Sequence, residues 1–170
     1  LARRMAEVVL HFKPLPHGLF RGAPGAQEEP NALVMRIQPD EGIARSVLGV
    51  VAEVSVGAGH DALAAYADGS IRFLHHEGGV FAIDSARYDL VMGTTALLGV
   101  GQQVADQLGP WPGPDLPPLE AGETRFTMLT PGGPVIGQGP DDDLRADPLA
   151  GPLYDASTAL LAAVVGDTAP

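Results

Sequence analysis

Val47-Leu48-Gly49-Val50-Val51-Ala52-Glu53-Val54-Ser55-Val56 is followed by Gly57-Ala58-Gly59-His60-Asp61, then by Ala62-Leu63-Ala64-Ala65-Tyr66-Ala67 and the pair Asp68-Gly69. Ser70-Ile71-Arg72-Phe73-Leu74 comes next, and Glu77-Gly78-Gly79 separates it from Val80-Phe81-Ala82-Ile83. These are four short runs rich in β-branched, aromatic and small apolar residues, divided by three glycine-bearing turns at near-even spacing. Asp-Gly between two such runs is a strong hairpin signal, because glycine alone adopts the positive φ of a tight turn without steric cost. The spacing predicts an antiparallel meander of four strands.

Working outward, Ser85 is placed to cap a helix running to about Leu108. Leu90, Leu97, Val100, Val104 and Leu108 fall near helical spacing, and Gly109-Pro110 ends the run. Gly93, Gly99 and Gly101 each weaken its interior by roughly 1 kcal/mol relative to alanine, which calls for close packing on a sheet or a break. Residues 109–122 hold five prolines and are expected to form a stiff linker. Glu123-Thr124-Arg125-Phe126-Thr127-Met128-Leu129 alternates as a further strand. Residues 131–152, rich in Gly, Pro and Asp, are expected as a long exposed loop, and Leu153 to Val165 as a final apolar helix with Asp155 near its start. Upstream, Val8–Phe12 and Ala32–Gln38 read as two strands. Pro14 and Pro16 close the first, and Pro39-Asp40-Glu41-Gly42 stops the second. The expected fold class is therefore α+β: a mostly antiparallel sheet of about five to seven strands with two helices.

The 170 residues are 45% apolar and carry a formal charge of −11, with no cysteine. That composition argues for a packed core, and it removes disulfides, thiolate metal sites and cysteine nucleophiles. The charge is unevenly spread. Residues 1–45 hold six basic and five acidic side chains, whereas 46–170 hold four arginines against sixteen acids. The shift predicts two segments, a β-arm over 1–45 and an acidic α+β domain over 46–170. So negative a chain repels phosphate backbones and anionic lipid surfaces, so neither nucleic acid nor membrane is an expected partner. No apolar run is long enough to span a bilayer, and Leu1–Glu7 lacks the apolar core of a signal peptide. A soluble, cytoplasmic protein is expected.

Few residues point to chemistry. Gly57-Ala58-Gly59-His60-Asp61-Ala62 has the glycine spacing of a dinucleotide turn, but the fingerprint needs a helix to start there, and a strand is expected instead. His75-His76-Glu77 offers metal-ligand atoms. Adjacent strand residues point to opposite faces, so the two histidines do not easily converge on one ion, no third histidine is spaced to help, and His60 and Asp61 would have to come from another turn; the reading is a solvated hairpin tip and no metal. Asp141-Asp142-Asp143 lacks the glycine and distal glutamate of a calcium loop and reads as a solubilising acidic loop. No Gly-x-Ser-x-Gly elbow occurs, and no catalytic residue is assigned. Trp111 is either a ligand platform or an anchor for its proline-rich surroundings. Arg36 and Gln38, two apart on one strand face, are suited to phosphate and sugar hydroxyls respectively, or form an ordinary exposed face.

Arg4-Met5-Ala6-Glu7-Val8-Val9-Leu10-His11-Phe12-Lys13-Pro14-Leu15-Pro16-His17, Phe20 and Pro30-Asn31-Ala32-Leu33-Val34-Met35-Arg36-Ile37-Gln38-Pro39-Asp40-Glu41-Gly42-Ile43 closely resemble part of the C-terminal domain of bacterial glucose-6-phosphate dehydrogenases. The resemblance covers residues 3–43 and stops where the charge balance changes. It implies that Gln38 and Arg4 contact glucose 6-phosphate. It also implies that Arg36 matches a position that in some eukaryotic members helps bind a structural NADP. The complete family oxidises glucose 6-phosphate with NADP, in the pentose phosphate pathway. Its glycine-rich NADP turn and its Arg-Ile-Asp-His-Tyr-Leu-Gly-Lys type motif, which supplies the proton-accepting dyad, do not occur in these 170 residues. The resemblance thus implies an incomplete segment, truncated or fused, that does not catalyse alone and binds no cofactor alone. The other reading is an acidic α+β ligand- or protein-binding module whose β-arm pairs with its sheet and favours a homodimer by strand addition.

Overall fold

A computed structural model describes residues 41–84 and 87–166, together with two short strands nearer the N-terminus. Those strands, β1 (Val8–Leu10) and β2 (Leu33–Met35), pair antiparallel with Val9 opposite Val34. They form a two-stranded sheet of their own.

A short helix, α1 (Glu41–Ala44), begins where Pro39–Gly42 was expected to do no more than end a strand. The meander follows as β3 (Gly49–Val56), β4 (Gly59–Tyr66), β5 (Ser70–Leu74) and β6 (Val80–Asp84). Next come α2 (Tyr88–Gln107), β7 (Glu123–Leu129), β8 (Val135–Pro140), α3 (Asp141–Ala146) and α4 (Gly151–Gly166). The large sheet has six strands in the order β6-β5-β4-β3-β7-β8, every neighbour antiparallel. With two long helices and two short ones, the α+β expectation holds.

Period-2 alternation explains the core. In register across the sheet lie Ile83, Ile71, Ala65, Val50, Met128 and Val135, and one step along lie Phe81, Phe73, Leu63, Ala52 and Phe126. Apart from Phe81, which is 43% exposed on edge strand β6, these rows meet the buried Leu90, Leu97 and Val104 of α2 and Leu153, Leu160 and Val164 of α4. Two helix glycines make the approach possible. A Cβ on Gly101 would stand 2.7 Å from Val50 Cγ2, and one on Gly93 would stand 3.0 Å from Leu160 Cδ1. Gly99 faces open space.

Three expectations need correction. The long helix starts at Tyr88 with Arg87 in the capping position and no side-chain cap, so Ser85 is not its N-cap. Residues 131–152 are not one exposed loop. Val135 is 2% exposed, β8 pairs with β7 along its length, and α3 and the start of α4 follow. Glycine and proline richness hid an edge strand, where proline is tolerated because the N–H it lacks would face solvent. Asp141 is not a freely solvated acid either, since Thr124 Oγ1 donates to its Oδ1 at 2.6 Å.

The proline-rich stretch is more than a linker. Arg125 Nη1 donates to Pro117 O at 2.7 Å, and Gln138 Nε2 donates to Pro118 O at 2.7 Å. Arg125 and Gln138 are register partners on the face opposite the core rows, so residues 109–122 run across that face as a strap. Trp111 holds one end: its amide donates to Pro134 O at 2.7 Å and its indole to Asp115 O at 3.1 Å. It is an anchor within the strap.

Candidate functional site

Asp61, His75 and His76 form the most concentrated group of ligand-type side chains among the described residues. All three offer donor atoms within 4.8 Å of one another. The backbone explains why. The first turn of the meander is only Gly57-Ala58, so β4 begins at Gly59, and Asp61 pairs with Val54 inside the strand. Strand β5 ends at Leu74, opposite Ala62. His75 and His76 therefore lie in a turn, closed by His75 N–H to Gly79 O at 2.7 Å and Gly78 N–H to His75 O at 2.8 Å. Strand alternation does not apply to them. The expectation that they point apart is overturned, for their ring centroids are 4.1 Å apart and tilted by 37°.

His76 is seated on the start of β4. A Cβ on Gly59 would lie 2.8 Å from His76 Cβ, so glycine is required for that approach. Both the His76 backbone amide and its Nδ1 lie 2.8 Å from Asp61 Oδ1. The side chains of Asp61 and His76 are 21% and 28% exposed, an environment between core and solvent. Burial pushes the Asp61 carboxyl up. The amide and ring hydrogen bonds from His76, with the charges of His75 and His76, outweigh it and hold the carboxyl below the usual carboxylate range. Asp61 is thus an ionised carboxylate at neutral pH, beside two imidazoles.

Asp61 also lines a recess of about 40 Å³ between the sheet and α4, with Val54, Phe73, Thr124, Tyr154 and Ser157 around it. That volume admits water but no sugar or nucleotide. A larger open cleft, about 560 Å³, lies between α1, the end of α2 and the β7–β8 turn. Among the described residues Arg45 is the one charged group lining it, and its guanidinium donates to Asp106 O at 3.0 Å.

The residues expected to bind glucose 6-phosphate or NADP, Arg4, Gln38 and Arg36, lie outside the described residues. The glycine pattern at 57–62 is a hairpin turn leading into β4, with no helix to present amides to a pyrophosphate. Asp141, Asp142 and Asp143 occupy the first turn of α3, not a calcium loop.

Part of this chain is similar to glucose-6-phosphate 1-dehydrogenase. The enzyme of Mycolicibacterium smegmatis is 44% identical over 43 residues, which is 25% of this chain and 8% of that protein. That of Aggregatibacter actinomycetemcomitans is 50% identical over 44 residues, again 25% and 8%. That of Rhizobium meliloti is 40% identical over 48 residues, 28% and 10%. The chain therefore spans no more than about a tenth of the length of the curated relatives it matches. No family model matches it. No solved structure gives a significant match.

Proposed function

We propose that this protein is a binding module, not a self-sufficient dehydrogenase: an acidic α+β domain preceded by a segment related to the substrate side of glucose-6-phosphate dehydrogenase. The observation that carries this reading is the self-contained core of residues 49–164. Its six-stranded sheet is wholly antiparallel, two of its helices close the core face, and its strap covers part of the other. Dinucleotide sites of the usual kind need a parallel βαβ turn with a helix N-terminus aimed at the pyrophosphate, and a wholly antiparallel sheet supplies none. Hydride transfer requires a bound nicotinamide and a base beside the sugar C1 hydroxyl, and the family's motifs for both are absent from the 170 residues.

The short matches favour a second element of function, recognition of glucose 6-phosphate by Arg4 and Gln38, with the preceding segment as a sugar-phosphate arm. Titration calorimetry of the full chain with glucose 6-phosphate tests it. Heat at millimolar ligand that is lost in Gln38→Ala and Arg4→Ala supports the arm as a sugar-phosphate binder. No heat at millimolar ligand leaves the acidic domain as the carrier of function. Formation of NADPH from glucose 6-phosphate and NADP at enzyme-like turnover by the purified 170-residue chain refutes the reading as a binding module.

A further inference from the structure

We propose that Asp61, His75 and His76 form a site for a late first-row divalent cation of the zinc class, with two imidazoles and one carboxylate as ligands and water in the remaining positions. Nitrogen and carboxylate oxygen in this proportion suit zinc, cobalt or nickel, whereas magnesium and calcium favour all-oxygen shells. Bonds of about 2.0–2.2 Å in a tetrahedral shell set neighbouring ligand atoms about 3.3 Å apart. Asp61 Oδ1 and His76 Nδ1, 2.8 Å apart, are already near that spacing. Within the 4.8 Å limit on the set, the widest separation calls for a contraction of at most about 1.5 Å, a movement within reach of side-chain torsions. The His75 ring is 35% exposed, and its Nδ1 accepts a long, 3.3 Å bond from the Glu77 amide that is readily surrendered.

Two features separate this cluster from an ordinary hairpin tip. First, its backbone is fixed: Gly59 gives His76 the room to sit on β4, the His76 amide locks Asp61 Oδ1, and the 75–79 turn carries Gly78 at φ +96°. Ligands held in this way lose little freedom on binding. Second, the same turn that seats His76 on Asp61 brings the ring of His75 to 4.1 Å from that of His76, so all three ligand groups converge. A shared cation uses a lone pair from each ring. The net charge of −11 raises the local concentration of any divalent cation.

The test uses the metal-stripped full chain titrated with Zn²⁺ against a chromogenic chelator, with Co²⁺ absorption reporting coordination geometry. The expected result is one equivalent bound, with no competition from millimolar Mg²⁺ or Ca²⁺. Asp61→Asn, His75→Ala and His76→Ala are each expected to weaken binding at least about tenfold, the scale seen when a ligand or its support is removed. His75→Ala is the informative variant, because it leaves the Asp61–His76 bond in place, and circular dichroism confirms its fold. His60→Ala, one residue before Asp61 and on the other face of β4, is expected to bind as the parent does. Zn²⁺ binding no tighter than millimolar overturns the proposal. So does binding undiminished in His75→Ala, which assigns the ion to other histidines.

Discussion

Replacing each of the three glycines of α2 by alanine tests the packing of that helix with one chemical change and three expected signs. In a helix interior, Gly→Ala gains about 0.8–1 kcal/mol, because alanine has less backbone entropy to lose. Gly99 has open space where a Cβ would go, so Gly99→Ala is expected to realise nearly all of that gain. At Gly93 the new methyl meets Leu160 Cδ1 at 3.0 Å, close enough that a small shift of Leu160 offsets most of it, and a change near zero is expected. At Gly101 it meets Val50 Cγ2 at 2.7 Å and Met128 Cγ at 3.4 Å. Val50 and Met128 are both fully buried, and a β-branched side chain in a strand has no spare rotamer to yield. Overpacking of this kind costs about 1–3 kcal/mol, so Gly101→Ala is expected to be net destabilising by about 1 kcal/mol. Urea denaturation of the three variants reads the differences directly. For a chain of this size each kcal/mol corresponds to roughly 2–4 °C in melting temperature. A Gly101→Ala variant as stabilised as Gly99→Ala would refute the close approach of α2 to β3.

The strap across the outer face depends on Arg125, which is 8% exposed and bonds Glu53 through two nitrogens, at 2.7 and 3.0 Å, and Pro117 O at 2.7 Å. Arg125→Ala strands Glu53, which is partly reached by water, and is expected to cost about 2–3 kcal/mol, visible by calorimetric melting and by faster proteolysis within residues 109–122. Val135→Asp places a carboxylate at a 2%-exposed site in β8 and is expected to destabilise by at least about 3 kcal/mol, whereas a change near zero would mean that 131–140 is loop after all. Acid sensitivity follows from Asp61. Its folded-state carboxyl titrates below the ordinary value, so the unfolded chain takes up the proton first as pH falls. The stability it contributes is complete above the usual carboxylate range and is lost as pH drops through the lowered value, and Asp61→Asn is expected to flatten that part of the stability–pH curve.

Local pattern carried the meander well. Asp68-Gly69 and Gly78-Gly79 mark turns whose φ values, +86° at Gly69 and +96° at Gly78, suit glycine, and these two turns lie where the sequence puts them. The alternation of Glu123–Leu129 likewise matches β7 residue for residue. The apolar spacing of α2 and the close packing at Gly93 and Gly101, though not at Gly99, were also legible, since period and side-chain size are local properties. For residues 131–152 the reading from sequence failed because pairing with a neighbouring strand outweighed local composition. Val135–Pro140 has poor strand propensity and becomes a strand because β7 offers it a ladder and the core takes Val135.

The sequence by itself determined the α+β class, the order of the meander, the charge division near residue 45 and the likeness of a quarter of the chain to glucose-6-phosphate dehydrogenase. Only the tertiary structure decided that β3 is central, that the prolines form a strap, and that Asp61, His75 and His76 converge. The physical reason lies in where the turn after β5 begins. The strand ends at Leu74 as the sequence suggests, but the turn closes at His75 and not at Glu77, so two neighbouring histidines escape the two-sided alternation of a strand and their rings lie together, and hydrogen bonds across 15 residues of sequence, from His76 to Asp61, fix one of them there.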